Sequence, residues 1–158
     1  MNWLNYFISI AEVVKLKSKD EHTQIGVVVV GPDNEIRSTG YNSFPRGIND
    51  RVAVRQQRPL KYFYFAHAER NALYNAARVG TPLKDCVMYL SCGVPCADCA
   101  IGIINSGIKE IWVNWTKNET NSDKWAEHAK HSMIMFEEAG VTVRWWRYDE
   151  NKVAIQIT

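Results

Sequence analysis

Apolar residues recur at helical intervals at the start of the chain and then give way to extended patterns. The helical spacing predicts a helix over residues 2–16, with an apolar face made of Trp3, Leu4, Phe7, Ile8, Ala11 and Val14. The β-branched run QIGVVVV (residues 24–30) is typical of a buried central strand. The turn sequence GPDN (31–34) predicts that EIRSTGYN (35–42) folds back on this strand as an antiparallel hairpin.

Beyond the hairpin, a long loop precedes a regular alternation of helices and strands. Residues 43–64 lack clear periodicity, which predicts a loop of the length that often serves a function. Helices are predicted at 66–80, 96–107 and 122–140, and strands at 86–92, 110–115 and 141–146. The tail NKVAIQIT (151–158) could add a short edge strand or pack on a neighbour. This order predicts an α/β fold class, a three-layer α-β-α domain whose mixed sheet gains parallel strands from the later crossovers.

Composition narrows the class of protein. The 158 residues, 46% of them apolar, predict one domain over residues 1–158, and the net charge of +2 gives no strong attraction to nucleic acid or membranes. We expect no signal peptide, and the longest apolar run is too short to cross a bilayer. A soluble cytoplasmic protein is therefore expected. The four cysteines all lie between residues 86 and 99, which favours metal binding or catalysis over a disulfide framework.

The segment PCADC (95–99) carries the first candidate chemistry. Pro95 suits the start of a helix, where its missing N–H is not needed. Cys96 and Cys99 then lie one turn apart on the same face, and a helix N-terminus favours the thiolates that bind metal. Two thiolates fill two of the four positions around a tetrahedral zinc ion.

His67 is the histidine that best completes this site. It opens a predicted helix after an aromatic run, whereas His22, His128 and His131 lie among polar neighbours and are interpreted as solvated. His67, Cys96 and Cys99 would leave the fourth zinc position to water, which is the pattern of catalytic rather than structural zinc. Glu69, two residues further on, could move the protons of that water.

Two other interpretations of the cysteines compete with catalytic zinc. Cys96 and Cys99 could form a thioredoxin-like redox pair, or Cys92 could close a structural zinc site as a fourth ligand. The combination of HAE (67–69) with PCADC favours the catalytic site, because H-x-E followed by P-C-x-x-C is the signature of zinc deaminases. Cys86 and Cys92 are then most simply core or strand residues.

Several further segments resemble the deoxycytidylate (dCMP) deaminase family of the cytidine deaminase superfamily. The resemblance runs from about residue 17 to 113, within a core of about 17–145, and is carried by SKDEHTQIGVVVV, STGYNSFPRG, KYFYFAHAERNAL and GIKEIWV. It implies a cytidine deaminase-like fold with a five-stranded mixed sheet between helices. It also implies zinc-dependent hydrolysis of dCMP to dUMP and ammonia, a homo-oligomer that is commonly a hexamer, activation by dCTP and inhibition by dTTP.

The resemblance also implies roles for single residues. Glu69 would take a proton from the zinc-activated water, deliver one to N3 of the pyrimidine and help to protonate the leaving amine, while the amide of Ala68 could bind the base carbonyl. Asn42 would hold the sugar hydroxyl, although it could also simply be a turn residue at the end of a strand. Lys19 and Arg46 are candidates for the phosphate. Arg46 could instead serve an effector site or the surface.

Departures from the family pattern leave some choices open. Ser43 stands where the family often has Gly, in a segment linked to the regulatory nucleotide, and LSCGVPC (90–96) lacks the more usual Thr. Neither regulation nor the choice between dCMP and dCTP is decided by these residues. A rival function is deamination of tRNA or single-stranded nucleic acid, in which VRWWRY (143–148) would stack bases instead of packing as an edge strand. A non-catalytic zinc module is a further alternative, against which Glu69 argues.

Overall fold

The chain forms six α-helices and six strands in a computed structural model that describes residues 1–120 and 122–158. The helices are α1 (Trp3–Lys15), α2 (Lys61–Tyr64), α3 (Ala68–Val79), α4 (Ala97–Asn105), α5 (Trp115–Glu119) and α6 (Asp123–Ala139). The strands are β1 (Gly26–Val30), β2 (Ile36–Tyr41), β3 (Val87–Leu90), β4 (Glu110–Asn114), β5 (Thr142–Tyr148) and β6 (Ala154–Ile157). The long loop also contains α2 and a 3₁₀ turn, Ala53–Gln56.

The strands form one mixed sheet in the order β2-β1-β3-β4-β5-β6. β1 is antiparallel to β2 and β3, whereas β3, β4 and β5 are parallel, so the predicted hairpin and parallel crossovers are confirmed. The prediction of five strands is wrong, because the tail adds β6 antiparallel to β5. Asp149 makes this reversal possible, since its Oδ1 accepts the N–H groups of Asn151 and Val153. Strand β6 pairs with backbone N–H and C=O groups of β5 that would have no partner if β5 were the edge of the sheet.

Helices cover the sheet on both faces, as the three-layer prediction requires. On one face α1 buries Phe7, Ile8 and Ala11 against the sheet. On the other face α3, α4 and α6 pack on a second cluster that includes Ala72, Ile103 and Phe136. β1 is buried on both sides because its successive valines alternate between the two clusters, which explains its continuous apolar sequence. Among the described residues, no helix has the length and apolarity needed to cross a membrane.

The aromatic residues of β5 are used for packing. Trp146 is fully buried and its indole N–H donates to the carbonyl of Leu90 at 3.0 Å. Trp145 packs edge-on against Trp115, with 5.1 Å between ring centroids. The packing interpretation of VRWWRY is therefore favoured over base stacking, but its placement at an edge is wrong because β5 lies between β4 and β6.

Gly40 lets α3 approach the sheet closely. A Cβ atom at this position would lie 2.3 Å from the carbonyl oxygen of Ala68 and 2.4 Å from the nitrogen of Ala72. The hydroxyl of Ser38, on the same strand, donates to the carbonyl of Ala72 at 2.6 Å. Strand β2 therefore determines where α3 starts, and with it the direction in which His67 and Glu69 project.

Substitution Gly40→Ala is expected to destabilise the protein, because the new Cβ meets helix backbone that cannot turn away. Overpacking costs about 1–3 kcal/mol, and each kcal/mol lowers the Tm of a chain of this size by about 2–4 °C. Gly102→Ala is the matched control, since its Cβ meets only the Cδ1 atom of Leu73 at 2.8 Å. Thermal unfolding measures both variants. An unchanged Tm for Gly40→Ala would contradict the role given to this close approach.

Candidate active site

Two helix starts bring the three predicted zinc ligands together. His67 is the N-cap residue of α3, Cys96 is the N-cap residue of α4, and Cys99 lies in the first turn of α4. The Sγ atoms of Cys96 and Cys99 each lie 3.4 Å from Nδ1 of His67. A tetrahedral zinc ion with ordinary bond lengths would place a sulfur and a nitrogen ligand about 3.5 Å apart. The three side chains therefore fit zinc, with Nδ1 as the histidine ligand atom.

The two thiols favour a cation between them. The hydrogen bond with Cys99, supported by His67, lowers the pKa of Cys96 to about 3. The same hydrogen bond and burial raise the pKa of Cys99, while the hydrogen bond with Cys96 raises the pKa of His67. One of the two thiols therefore loses its proton easily, and the loss of the second proton is disfavoured. A divalent cation would favour the loss of the second proton, because metal coordination deprotonates thiols.

Arg70 adds a positive charge beside the thiols that the sequence analysis did not anticipate. Burial disfavours its charged form, but Coulombic attraction to Cys99 outweighs burial and raises its pKa. The side chain also lines the cavity next to the ligands. The only signal in the sequence was its position directly after Glu69.

Glu69 lies where a proton carrier is needed. It belongs to the first turn of α3, is 3% exposed, and lines the same cavity as His67 and Cys96. Burial raises the pKa of this carboxyl group. A carboxylate in such surroundings binds a proton more readily than one in water, which suits a group that must take up and release protons near neutral pH.

The cavity beside these residues has a volume of about 370 Å³, which lies within the range of small-molecule sites. Asp20 and Asn42 line one side, and Arg58, Tyr62 and Trp125 also contribute to its wall. Ala68, the predicted base-binding residue, is fully buried, with its amide between the cavity residues His67 and Glu69 in the chain. Its contact with the base remains a prediction.

Asn42 both lines the cavity and holds the loop that precedes β1. Its Oδ1 accepts the N–H of Ile25 at 2.9 Å, and its Nδ2 donates to Thr23 O at 2.7 Å and to Asp20 Oδ2 at 3.2 Å. The amide nitrogen is fully used, but the oxygen has a second lone pair that a sugar hydroxyl could reach. The structural role is therefore observed, and the sugar contact remains a prediction.

A buried ion pair supports this wall of the cavity. Lys61 Nζ lies 2.8 Å from Oδ1 and 2.7 Å from Oδ2 of Asp20, and the two side chains are 9% and 5% exposed. Burial disfavours the Asp20 carboxylate, but its hydrogen bonds with Lys61 and with the amides of His22 and Thr23 hold its pKa below the ordinary value. The sequence does not indicate this ion pair, because Asp20 and Lys61 lie 41 positions apart along the chain.

The structure places Lys19 and Arg46 away from this cavity. Lys19 pairs with Asp50 at 2.6 Å, and Arg46 donates to Oδ1 of Asn75 at 2.8 Å. Both line a second cavity of about 390 Å³, and the two cavities have Ala66 in common. That these cations bind the substrate phosphate remains a prediction, and neither is among the residues that line the cavity beside His67 and Glu69. The positions of Lys19 and Arg46 beside family-like segments of the sequence did not indicate which cavity their side chains would line.

The remaining histidines divide into two kinds. His22 is exposed, and His131, with 57% of its side chain exposed, pairs with Glu127 one turn away, so both agree with the solvated interpretation. His128 contradicts that interpretation. Its ring is half-buried and its Nδ1 accepts the N–H of Ala97 at 3.1 Å.

Comparison with known proteins agrees with this geometry. Residues 1–114 match the family model of the cytidine and deoxycytidylate deaminase zinc-binding region. A deoxycytidylate deaminase of Homo sapiens is 35% identical over 151 residues, covering 91% of this chain and 79% of the human protein. A deaminase of Aliivibrio fischeri is 36% identical over 147 residues, covering 93% of this chain and 95% of that protein. The crystal structure of a dCMP deaminase from cyanophage S-TIM5 has the same fold, with a TM-score of 0.68, 21% identity, and coverage of 90% of this chain and 95% of that one.

Substitution Cys96→Ala is expected to remove most of the bound zinc, because a thiolate ligand and the charge that it carries are lost together. Cys92→Ala is the matched control. Cys92 lies outside the group of three, and burial raises the pKa of its thiol well above the ordinary value, so it should remain protonated. Metal analysis of the purified variants checks both. Full zinc content in Cys96→Ala, or zinc loss in Cys92→Ala, would change the ligand set.

Proposed function

The chain belongs to the cytidine and deoxycytidylate deaminase family, and on that premise we propose that it catalyses the hydrolysis of dCMP to dUMP and ammonia. The observation that carries this proposal is the grouping of His67, Cys96 and Cys99 beside a cavity that Glu69 also lines. The identity of 35% to a named deoxycytidylate deaminase over nearly the whole chain supports the nucleotide as substrate.

The residues at the helix starts divide the chemistry between them. His67, Cys96 and Cys99 hold zinc, which when bound supplies the Lewis acidity that makes a water molecule acidic near neutral pH. Glu69 takes the proton of this water and passes a proton to N3 of the base as the water oxygen bonds to C4. Glu69 then moves the second proton of that water from the oxygen on C4 to the amino group, the C4–N bond breaks as the C4=O bond forms, and ammonia leaves. One water is consumed for each ammonia released.

Glu69→Gln is expected to abolish most of the activity while leaving the metal in place. The amide keeps the shape of the carboxyl group but cannot carry the proton, and loss of general acid–base catalysis costs roughly 10²–10⁴-fold in rate. Glu127→Gln on the exposed surface of α6 is the control. Ammonia release from dCMP is measured beside zinc content. Near-normal turnover in Glu69→Gln would assign the proton transfer to another group.

Within the same proposal, Arg58 and Lys124 bind the 5′-phosphate. Lys61 is already paired with Asp20, and the positive charge of Arg70 is attracted to Cys99. Arg58 and Lys124, by contrast, form no ion pair within residues 1–120 and 122–158. Arg58 lines the substrate cavity, and its guanidinium carbon lies 5.9 Å from the ring centroid of Tyr62, which also lines it. The Nζ atom of Lys124 lies 4.2 Å from the same centroid.

Arg58→Gln and Lys124→Gln should each lower kcat/KM for dCMP by about 10–100-fold, since a charge-assisted hydrogen bond is worth about 1.5–3 kcal/mol. Activity on deoxycytidine, which has no phosphate, should stay at the wild-type level. Arg55→Gln is the matched control, because Arg55 lies over Tyr64, 4.4 Å from its centroid, and binds the carbonyl of Asn49 instead of lining the cavity. Equal losses on nucleotide and nucleoside would argue against phosphate recognition by these cations.

We assign the second cavity to the regulatory nucleotide, dCTP or dTTP. Four cationic side chains support this assignment, those of Lys17, Lys19, Arg46 and Arg78. Ser43 also lines the cavity. Steady-state rates with added dCTP and dTTP test the assignment, since Arg46→Ala should weaken the response to both.

Assembly into a homo-oligomer, commonly a hexamer in this family, belongs to the same proposal. The exposed apolar side chains of Trp3 and Val13 on α1, and of Leu16 directly after it, support contact between copies. The mass of the protein in solution tests this assembly.

A further inference from the structure

One face of α6 contacts the candidate zinc site at three successive positions. Trp125 packs its ring edge-on against that of His67, with 5.9 Å between centroids. One turn later, Nδ1 of His128 accepts the backbone N–H of Ala97 at 3.1 Å. One turn beyond that, the fully buried hydroxyl of Ser132 donates to the carbonyl of Pro95 at 2.7 Å. The same face of one helix thus reaches a ligand ring and both residues that flank Cys96.

These hydrogen bonds satisfy backbone groups that α4 leaves open. The first N–H groups of a helix have no acceptor within the helix, and the N-cap side chain usually accepts only that of the second or third helical residue, so the first needs another acceptor. Here the N-cap residue is Cys96, which makes no side-chain capping hydrogen bond. The ring nitrogen of His128 supplies the acceptor for the N–H of Ala97, the first residue of α4, and so holds the peptide group that follows Cys96.

We propose that His128 is a positioning residue for the zinc site. Together with Ser132 it fixes the peptide groups before and after Cys96, and these groups determine where the thiolate points. Partners outside the ligand shell commonly orient metal ligands in this way, and their loss typically costs 10–100-fold in metal affinity or activity. The inference rests on the proposed zinc-dependent deamination and adds a role for α6, which is to position the ligand Cys96.

The hydrogen bond from Ala97 to His128 determines which residues should be able to replace His128 without loss of zinc affinity. Since Nδ1 accepts the N–H of Ala97, the ring proton lies on Nε2 in the neutral imidazole. An asparagine can place its carbonyl oxygen close to the position of Nδ1 and also accept this hydrogen bond. Alanine can fill part of the space but cannot accept it. Rescue by asparagine therefore separates the hydrogen bond from simple packing of α6 on α4.

The experiment compares His128→Ala with His128→Asn, and His131→Ala serves as the control on the same helix. Zinc affinity is measured by competition with a chelator, and the cobalt-substituted proteins are compared by their thiolate charge-transfer and d–d absorption bands. In His128→Ala we expect zinc affinity to fall about 10–100-fold, the cobalt bands to shift, and kcat for dCMP to fall more than KM changes. His128→Asn should recover most of the affinity, and His131→Ala should match the wild type.

Wild-type zinc affinity and cobalt bands in His128→Ala would overturn the proposal, as would an asparagine variant no better than the alanine variant. If His128→Ala does not fold, Ser132→Ala provides the test, because it removes one oxygen atom and should shift the cobalt bands in the same direction to a smaller extent. Unchanged bands in that variant would count against the proposal. A wild-type protein that binds zinc but releases no ammonia from dCMP would refute the proposed function, while the zinc and cobalt measurements would still decide the role of His128.

Discussion

The meeting of two helix N-termini is the constraint on which the rest of the site depends. α3 begins after His67 and α4 begins after Cys96, and Nδ1 of the histidine lies 3.4 Å from both thiols. This arrangement requires α3 to lie very close to β2, which Gly40 permits by having no Cβ. The positive ends of both helices point to the region of the thiolates and stabilise their charge.

The site gathers several charged groups among buried side chains, and groups of opposite charge lie beside some of them. Arg70 faces Cys99, and Lys61 pairs with both oxygens of Asp20. Burial raises the pKa of Glu69, whereas the hydrogen bonds of Asp20 lower the pKa of that carboxyl group. A paired charged group keeps its charge and helps to form the wall of the cavity. A carboxyl group that gains and loses its proton easily can take part in the reaction.

Segments outside the sequence motifs complete the cavity. The long loop supplies Arg58, Lys61 and Tyr62, while α6 supplies Trp125 and braces the start of α4 through His128. The loop also separates two cationic regions, because Lys19 and Arg46 belong to a second cavity that has only Ala66 in common with the first. The residues that carry the chemistry therefore lie at one cavity, and Lys19 and Arg46 lie at the other.

The sequence by itself determined the features that depend on short-range spacing. The i to i+3 spacing of Cys96 and Cys99, the i to i+2 spacing of His67 and Glu69, and the alternation of strands with helices were readable because helix and strand geometry fixes the positions of near neighbours. The tertiary structure alone decided which distant residues meet. The pairing of Asp20 with Lys61 and the hydrogen bond from Ala97 to His128 join residues whose separation along the chain carries no local signal. The same reason explains why the cations of the substrate cavity could not be told from those of the second cavity, since the direction of a loop side chain depends on the path of the whole loop across the finished sheet.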